Sequence, residues 1–223
     1  MDMSHPASKL GSKMTHIVWD WNGTLFHDID AVVGATNELF LPYGLGPYDA
    51  EGFREVYTRP IWVAYERMLG RALGEGEWEL LDKGFHEHYH RLMEACSLAD
   101  GALSSLHAWQ ESGRTQSLLS MWGHERLVRK TGEFGIDGHF TRIDGSRDAT
   151  GGHKAEHMVE HLRALGIDSA KVVVIGDSVD DAHAALHVGA RAVLYTGGMT
   201  RRSELEGVGV PVVDSLADAL DLV

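Results

Sequence analysis

Asp20 closes an apolar run, Thr15-His-Ile-Val-Trp-Asp20, and opens the polar stretch Asp20-Trp-Asn-Gly-Thr-Leu25. Ser120 closes a second run, Thr115-Gln-Ser-Leu-Leu-Ser120, and Lys154 begins a helical pattern. A third run, Lys171-Val-Val-Val-Ile-Gly176, leads into Gly176-Asp-Ser-Val-Asp-Asp181. Ligands of a parallel α/β sheet bind outside the carboxyl ends of its strands, so these residues are placed for chemistry. The carboxylates of Asp20 and Asp177 suit a hard cation such as Mg²⁺, and a hydroxyl with a lysine suits a phosphoryl group.

Parallel strands are needed to bring these residues to one edge. Two further runs, Ala190-Arg-Ala-Val-Leu-Tyr195 and the weaker Gly209-Val-Pro-Val-Val213, complete the strand set. The runs are continuous rather than alternating, as expected of strands covered on both faces. Helical patterns lie between them over 101–112, 125–134, 154–165, 180–188 and 215–222. Strand then helix, repeated, predicts a doubly wound, Rossmann-like α/β core. Residues 29–100 break the rhythm with helical periodicity over 31–41, 61–73 and 77–95, and no strand is expected there. The span far exceeds a connecting loop of about 15 residues. The expected organisation is therefore a core of 14–28 and 101–223, an inserted helical cap of 29–100, and a loose tail of 1–13.

Composition narrows the function classes. The 223 residues carry 20 − 33 = −13 charges, which disfavours a whole-surface grip on nucleic acid but not a small phosphorylated substrate held locally. Cys96 stands alone, so neither an intrachain disulfide nor a cysteine zinc cluster is expected. No apolar run approaches the roughly 18 residues of a membrane span, and residues 1–13 lack a signal peptide's apolar segment. A cytoplasmic protein, monomer or homodimer, is the expectation.

At these residues the chain resembles the haloacid dehalogenase superfamily, in its Mg²⁺-dependent, phosphoglycolate phosphatase-like branch. The family's Asp-x-Asp-Gly-[Thr/Val]-Leu stands here as Asp20-Trp-Asn-Gly-Thr-Leu25; Ser120, Lys154 and Gly176-Asp-Ser-Val-Asp-Asp181 match the other three motifs in order. The resemblance implies that Asp20 is a nucleophile forming an aspartyl-phosphate. It further implies Mg²⁺ bound by Asp20, the Asn22 carbonyl, Asp177 and Asp181, with the part of Asp180 unseparated. Ser120 and Lys154 would hold the transferring phosphoryl group. The departure is Asn22, where most phosphatases of the family carry an aspartate as general acid and base. Three activities follow as expectations: phosphatase action on a small metabolite, a catalytically weak phosphate-ligand binding or regulatory protein, or a metal-free dehalogenase. The motif Gly-Asp-Ser-x-x-Asp argues for a metal and so against the last.

Other residues invite weighing. His157-Met-Val-Glu-His161 matches a zinc-peptidase pattern, and His153 shares its helix face, but a solvated face is the preferred reading. His86, His88 and His90 read as another polar face. Gly145 to Lys154 is glycine-rich with the wrong spacing for a phosphate-binding loop. Trp21 either walls the substrate pocket or fills core. Trp122 and His124 follow Ser120 closely enough to line the site, or else pack a helix. Arg59 reads first as a surface arginine and second as a cap residue reaching the substrate's distal group.

Asn22 generates a kinetic expectation. Without an acid beside the leaving oxygen, aryl and acyl phosphates should turn over measurably and alkyl phosphates far more slowly. Asn22→Asp is expected to narrow the gap by up to the about 10²–10⁴-fold that general acid–base help supplies. Initial rates on both substrate classes check this; equal rates in the wild type would mean that another group supplies the proton.

Overall fold

The computed structural model describes residues 15–147 and 154–223. Its elements run β1 (His16–Trp19), β2 (Phe26–His27), α1 (Ile29–Phe40), α2 (Ala50–Val56), α3 (Ile61–Leu69), α4 (Glu77–Leu92) and β3 (Ser97–Leu98). They continue through α5 (Ala102–Glu111), β4 (Thr115–Gly123), α6 (His124–Glu133), β5 (Ile143–Ser146), α7 (Lys154–Leu165) and β6 (Val172–Gly176). The chain ends with α8 (Val179–His187), β7 (Arg191–Tyr195), α9 (Arg202–Glu206), β8 (Val212–Val213) and α10 (Leu216–Asp221).

Six strands form one parallel sheet in the order β5-β4-β1-β6-β7-β8. The chain starts in the middle, moves outward to β5, then returns past β1 to β6. That reversal is a topological switch point, and it lies between the carboxyl ends of β1 and β6. Both strands are buried throughout, β1 as His-Ile-Val-Trp and β6 as Val-Val-Val-Ile-Gly. Branched side chains suit a sheet covered on both faces. Ile17, Trp19, Val173 and Ile175 serve one core; Val18, Val172 and Val174 serve the other. Each such side chain contributes about 1.5–3 kcal/mol by burial.

Helices α1 to α4 form the insert. Ile29, Val33, Phe40, Phe53, Tyr65, Met68 and Leu81 make its apolar centre, and Met199 from the sheet side joins it. Contrary to the strand-free expectation for 29–100, Ser97–Leu98 pairs antiparallel with Phe26–His27, stapling the two ends of the insert together. Two-residue strands carry no periodicity, which is why the pattern was silent. Helix α2 and strand β5 are likewise additions to the expected set. The tail 1–13 and His153 lie outside the described residues.

His161 does not sit on a solvated face. It is buried, with Nδ1 at 2.7 Å from Asp144 Oδ2 and Nε2 at 2.7 Å from Ser117 Oγ. His16 reaches the same hydroxyl at 2.8 Å and Thr115 Oγ1 at 2.7 Å. The zinc-peptidase pattern is thus broken, since Glu160 instead pairs with Arg163 at the surface.

Burial, aided by the nearby His161, lowers the His16 pKa from 6.5 to about 4. The unfolded chain therefore takes up a proton before the native one does. His16 should cost the protein stability as pH falls from 6.5 toward about 4 and have no such effect above that window. Melting curves of wild type and His16→Asn should converge over this range; a gap independent of pH would contradict the assignment.

Candidate active site

The site grows from the carboxyl ends of β1, β4 and β6. Asp20 follows β1 directly and donates its backbone N–H to Ile175 O at 2.9 Å, which locks it beside β6. The chain then turns tightly: Gly23 N and Phe26 N donate to Phe26 O and Trp21 O, each at 2.9 Å. Gly23 adopts φ 75°, and a Cβ there would stand 2.5 Å from Asp177 Oδ2, so both conformation and space demand glycine. Thr24 Oγ1 lies 3.4 Å from Asp20 Oδ2 and 3.3 Å from Asp177 Oδ1, bridging the two acids.

Lys154 opens α7 and is buried. Its ammonium is clasped between Asp20 Oδ1 and Asp181 Oδ1. Burial disfavours its charge, but the Asp181 and Asp20 carboxylates outweigh that and hold its pKa above the ordinary range. Burial and the Asp181 charge push Asp20 up, against the pull of Lys154. Burial together with Asp20 and Asp181 raises Asp177 well above the usual carboxylate range. Oxygens of Asp20, Asp177 and Asp181 all lie within 4.8 Å of one another, the sole such grouping among the described residues. Three hard oxygen donors facing one ammonium leave a surplus of negative charge, a donor set that fits a divalent cation.

The structure separates two neighbours. Asp181 is buried, touches Lys154, and also closes a capping box with Ser178 at the start of α8: its Oδ2 accepts from Ser178 N at 3.0 Å. Helix capping and charge pairing therefore coexist in one residue. Asp180 is half exposed and faces Arg59 of the insert at 4.0 Å. Ser120 is buried two residues past Leu118, the partner of Trp19, and its Oγ accepts from Trp122 N at 3.0 Å. The β4–β5 register shifts between Leu119 and Gly123, an irregularity of the kind that re-aims side chains.

Not every expected residue lines the site. Trp21 is fully buried and stacks on Phe26 with centroids 5.2 Å apart, so it fills core rather than walling a pocket. Trp122 and His124 line an open cleft of about 630 Å³ together with His86, Glu125, Arg126 and Arg147; Asp20, Ser120, Lys154 and Asp177 are not among its lining residues. The two arginines carried no sequence signal. Gly198 was also missed: a Cβ there would stand 1.7 Å from Asp177 Oδ2, and its neighbour Met199 donates a backbone N–H to that oxygen at 3.3 Å. The Gly197-Gly198 pair, separated from the end of β7 by one residue, was the available hint.

Asn22 and Asp28 complete the picture. Asn22 Nδ2 donates to Asp28 Oδ2 at 2.8 Å and to Tyr89 Oη at 2.9 Å, while Tyr89 donates to Asp28 at 2.7 Å. Gly23 N gives Asp28 a third bond at 3.0 Å. Burial pushes the Asp28 carboxyl up against these bonds, which favour its charged form.

A doubly wound core with catalytic-type carboxylates and a lysine at its switch point, covered by a helical insert, defines a class of hydrolytic enzyme. The chain belongs to the haloacid dehalogenase-like hydrolases, whose family pattern matches residues 17–195. It is 25% identical over 192 residues to a phosphoglycolate phosphatase of Mesorhizobium japonicum, covering 83% of this chain and 84% of that one. A phosphoglycolate phosphatase of Agrobacterium fabrum is 23% identical over 205 residues, covering 90% and 88%. A haloacid dehalogenase-like family hydrolase from Streptococcus pneumoniae shares the fold with TM-score 0.79 at 18% identity, over 94% of this chain and 98% of that one.

Gly198→Ala should force Asp177 aside and weaken any stabilisation by divalent cations. Gly132→Ala, a site where a Cβ meets nothing within 4 Å, is the control. Titrating Mg²⁺ against melting temperature checks this, with the control expected to keep the wild-type response.

Proposed function

We propose that this protein is a Mg²⁺-dependent phosphatase that removes phosphate from a small phosphorylated metabolite through an aspartyl-phosphate on Asp20. The observation that carries the reading is Lys154 clasped between Asp20 and Asp181 beside Asp177. An ammonium in that position favours the charged form of the nucleophilic carboxylate against burial and offers its charge to the oxygens of an incoming phosphoryl group. Asp20, Asp177, Asp181 and the Asn22 carbonyl would hold the cation, which supplies charge neutralisation when bound. Ser120 would donate its hydroxyl proton to a phosphoryl oxygen. Attack by a carboxylate oxygen of Asp20 on phosphorus forms the acyl phosphate as the bond to the leaving oxygen breaks. That oxygen departs as the anion and takes its proton from solvent. Water then hydrolyses the acyl phosphate to release inorganic phosphate and regenerate the carboxylate.

The insert works as a cap in this reading. Arg54 Nε donates to Gly198 O at 2.9 Å, Arg201 pairs with Glu55 at 3.1 Å, and Arg59 faces Asp180. These contacts hold it over the strand-end loops and shield the phosphoryl site from water. The cleft with Arg126 and Arg147 would take the rest of the substrate, and two guanidinium groups there, against the one carboxylate of Glu125, favour a second acidic group. Phosphoglycolate, which carries a carboxylate and is the substrate named for two relatives, is therefore the first compound to test.

Millimolar Mg²⁺ should raise the melting temperature by linkage, and Asp177→Asn should weaken that rise. Beryllium fluoride, a mimic of the acyl phosphate, should stabilise the protein further, and Asp20→Asn should abolish that response. An unchanged response in the Asp20 variant would point to a different nucleophile.

A further inference from the structure

Position 22 carries an amide where a proton-transferring carboxylate would be expected, and the hydrogen bonds around it say what the amide does. An amide nitrogen has two hydrogens. Here one goes to Asp28 and the other to Tyr89, so none is left for a leaving oxygen. The orientation follows from chemistry: the Asp28 carboxylate can only accept, and Tyr89 spends its own proton on Asp28. Asn22 must therefore face both with its nitrogen.

The three residues come from three parts of the chain. Asn22 lies in the turn after β1, Asp28 at the entrance to the insert, and Tyr89 on α4 within it. Tyr89 and Asp28 are buried, and Tyr89 also stacks on Phe85 with centroids 5.7 Å apart. We propose that Asp28 and Tyr89 are positioning residues that require an amide at position 22 and use it to tie the insert to the turn carrying Asp20. Position 22 then serves cap seating, and proton transfer is given up in exchange.

The pairing is reciprocal in its demands. Replacing Asn22 by aspartate alone brings a second carboxylate to about the 2.8 Å now spanned by an N–H···O bond. Two like charges at that distance in a buried site repel strongly. The gain expected from Asn22→Asp on sequence grounds is therefore conditional on a second change. In Asn22→Asp/Asp28→Asn the donor and acceptor exchange ends. The new amide's oxygen still accepts from Gly23 N, its nitrogen donates to the new carboxylate, and Tyr89 keeps a carboxylate to donate to.

The inference rests on the phosphatase reading only for its kinetic arm. Wild type, both single variants and the double variant are melted in EDTA. Asn22→Asp should lower the melting temperature by about 5 °C or more, and the double variant should recover at least half of that loss. Should Asn22→Asp not fold, Tyr89→Phe keeps the ring and removes one hydroxyl. It should melt a few degrees lower and raise KM more than it lowers kcat. On an alkyl phosphate the double variant should exceed wild type by about 100-fold or more, and Asn22→Asp should fall short of the double. An Asn22→Asp protein as stable as wild type, losses in the double equal to the sum of the singles, or an unperturbed Tyr89→Phe would each overturn the proposal. Absence of turnover in all four proteins would instead count against the phosphatase reading, and the melting comparison, which needs no substrate, would still decide this one.

Discussion

The structure depends on one buried lysine. Lys154 stands between Asp20 and Asp181, and without it three carboxylates would face one another at the switch point of the sheet. Removing one partner from such a group leaves uncompensated buried charge, which costs far more than the pair contributes when intact. Much of the neighbouring backbone serves this arrangement. Gly23 and Gly198 stay bare because a methyl group at either would strike Asp177, and Gly176 because one would strike Asp181. The capping box of α8 fixes the Asp181 side chain from the other end. Strand, helix start and glycine are thus all constrained by where four charges must stand.

A second buried acid sits close by under a different regime. Asp28 is satisfied by a backbone N–H, a phenol and an amide, none of them charged. The three hydrogen bonds favour its charged form, but burial is the larger effect and raises its pKa against them. The two regimes meet at residues 22 and 23. Gly23 N serves Asp28 while the space its missing side chain leaves is filled by Asp177. The insert and the candidate metal site therefore share a single turn, and neither can shift without disturbing the other.

This division explains what could be read in advance. Asp20, Asp177 and Lys154 were legible because they sit at strand ends and a helix start, where apolar runs stop. Trp21 was ambiguous in sequence since either side of the turn could take an indole; its stack on Phe26 resolves it. Strand β5 was hidden because Ile-Asp-Gly-Ser has one apolar residue in four, its polar Asp144 being held by His161 and Arg142. His161 was misread for the same reason. Periodicity counts a histidine as polar, whereas this one is buried on α7 with partners on two strands, β4 and β5. Asp28 and Gly198 act only through contacts distant in sequence, and pattern cannot reveal those.

The same limit applies in reverse to distance lists. Ser117, His161 and Asp144 stand in the order hydroxyl, imidazole, carboxylate, with both links at 2.7 Å. On spacing alone that is a nucleophile, a base and an orienting acid. Burial decides otherwise: Ser117 on β4 and His161 on α7 are both sealed from solvent, and the Ser117 hydroxyl is shared with His16. No reacting atom could approach the oxygen, so the trio stabilises buried polar atoms and does no chemistry. Three residues further along β4, Ser120 lies near that strand's carboxyl end, beside β1, whose end carries the lysine-bridged Asp20. What separates the polar core from the candidate site in this protein is position at the carboxyl ends of the strands, because the types of residue present are nearly the same in both.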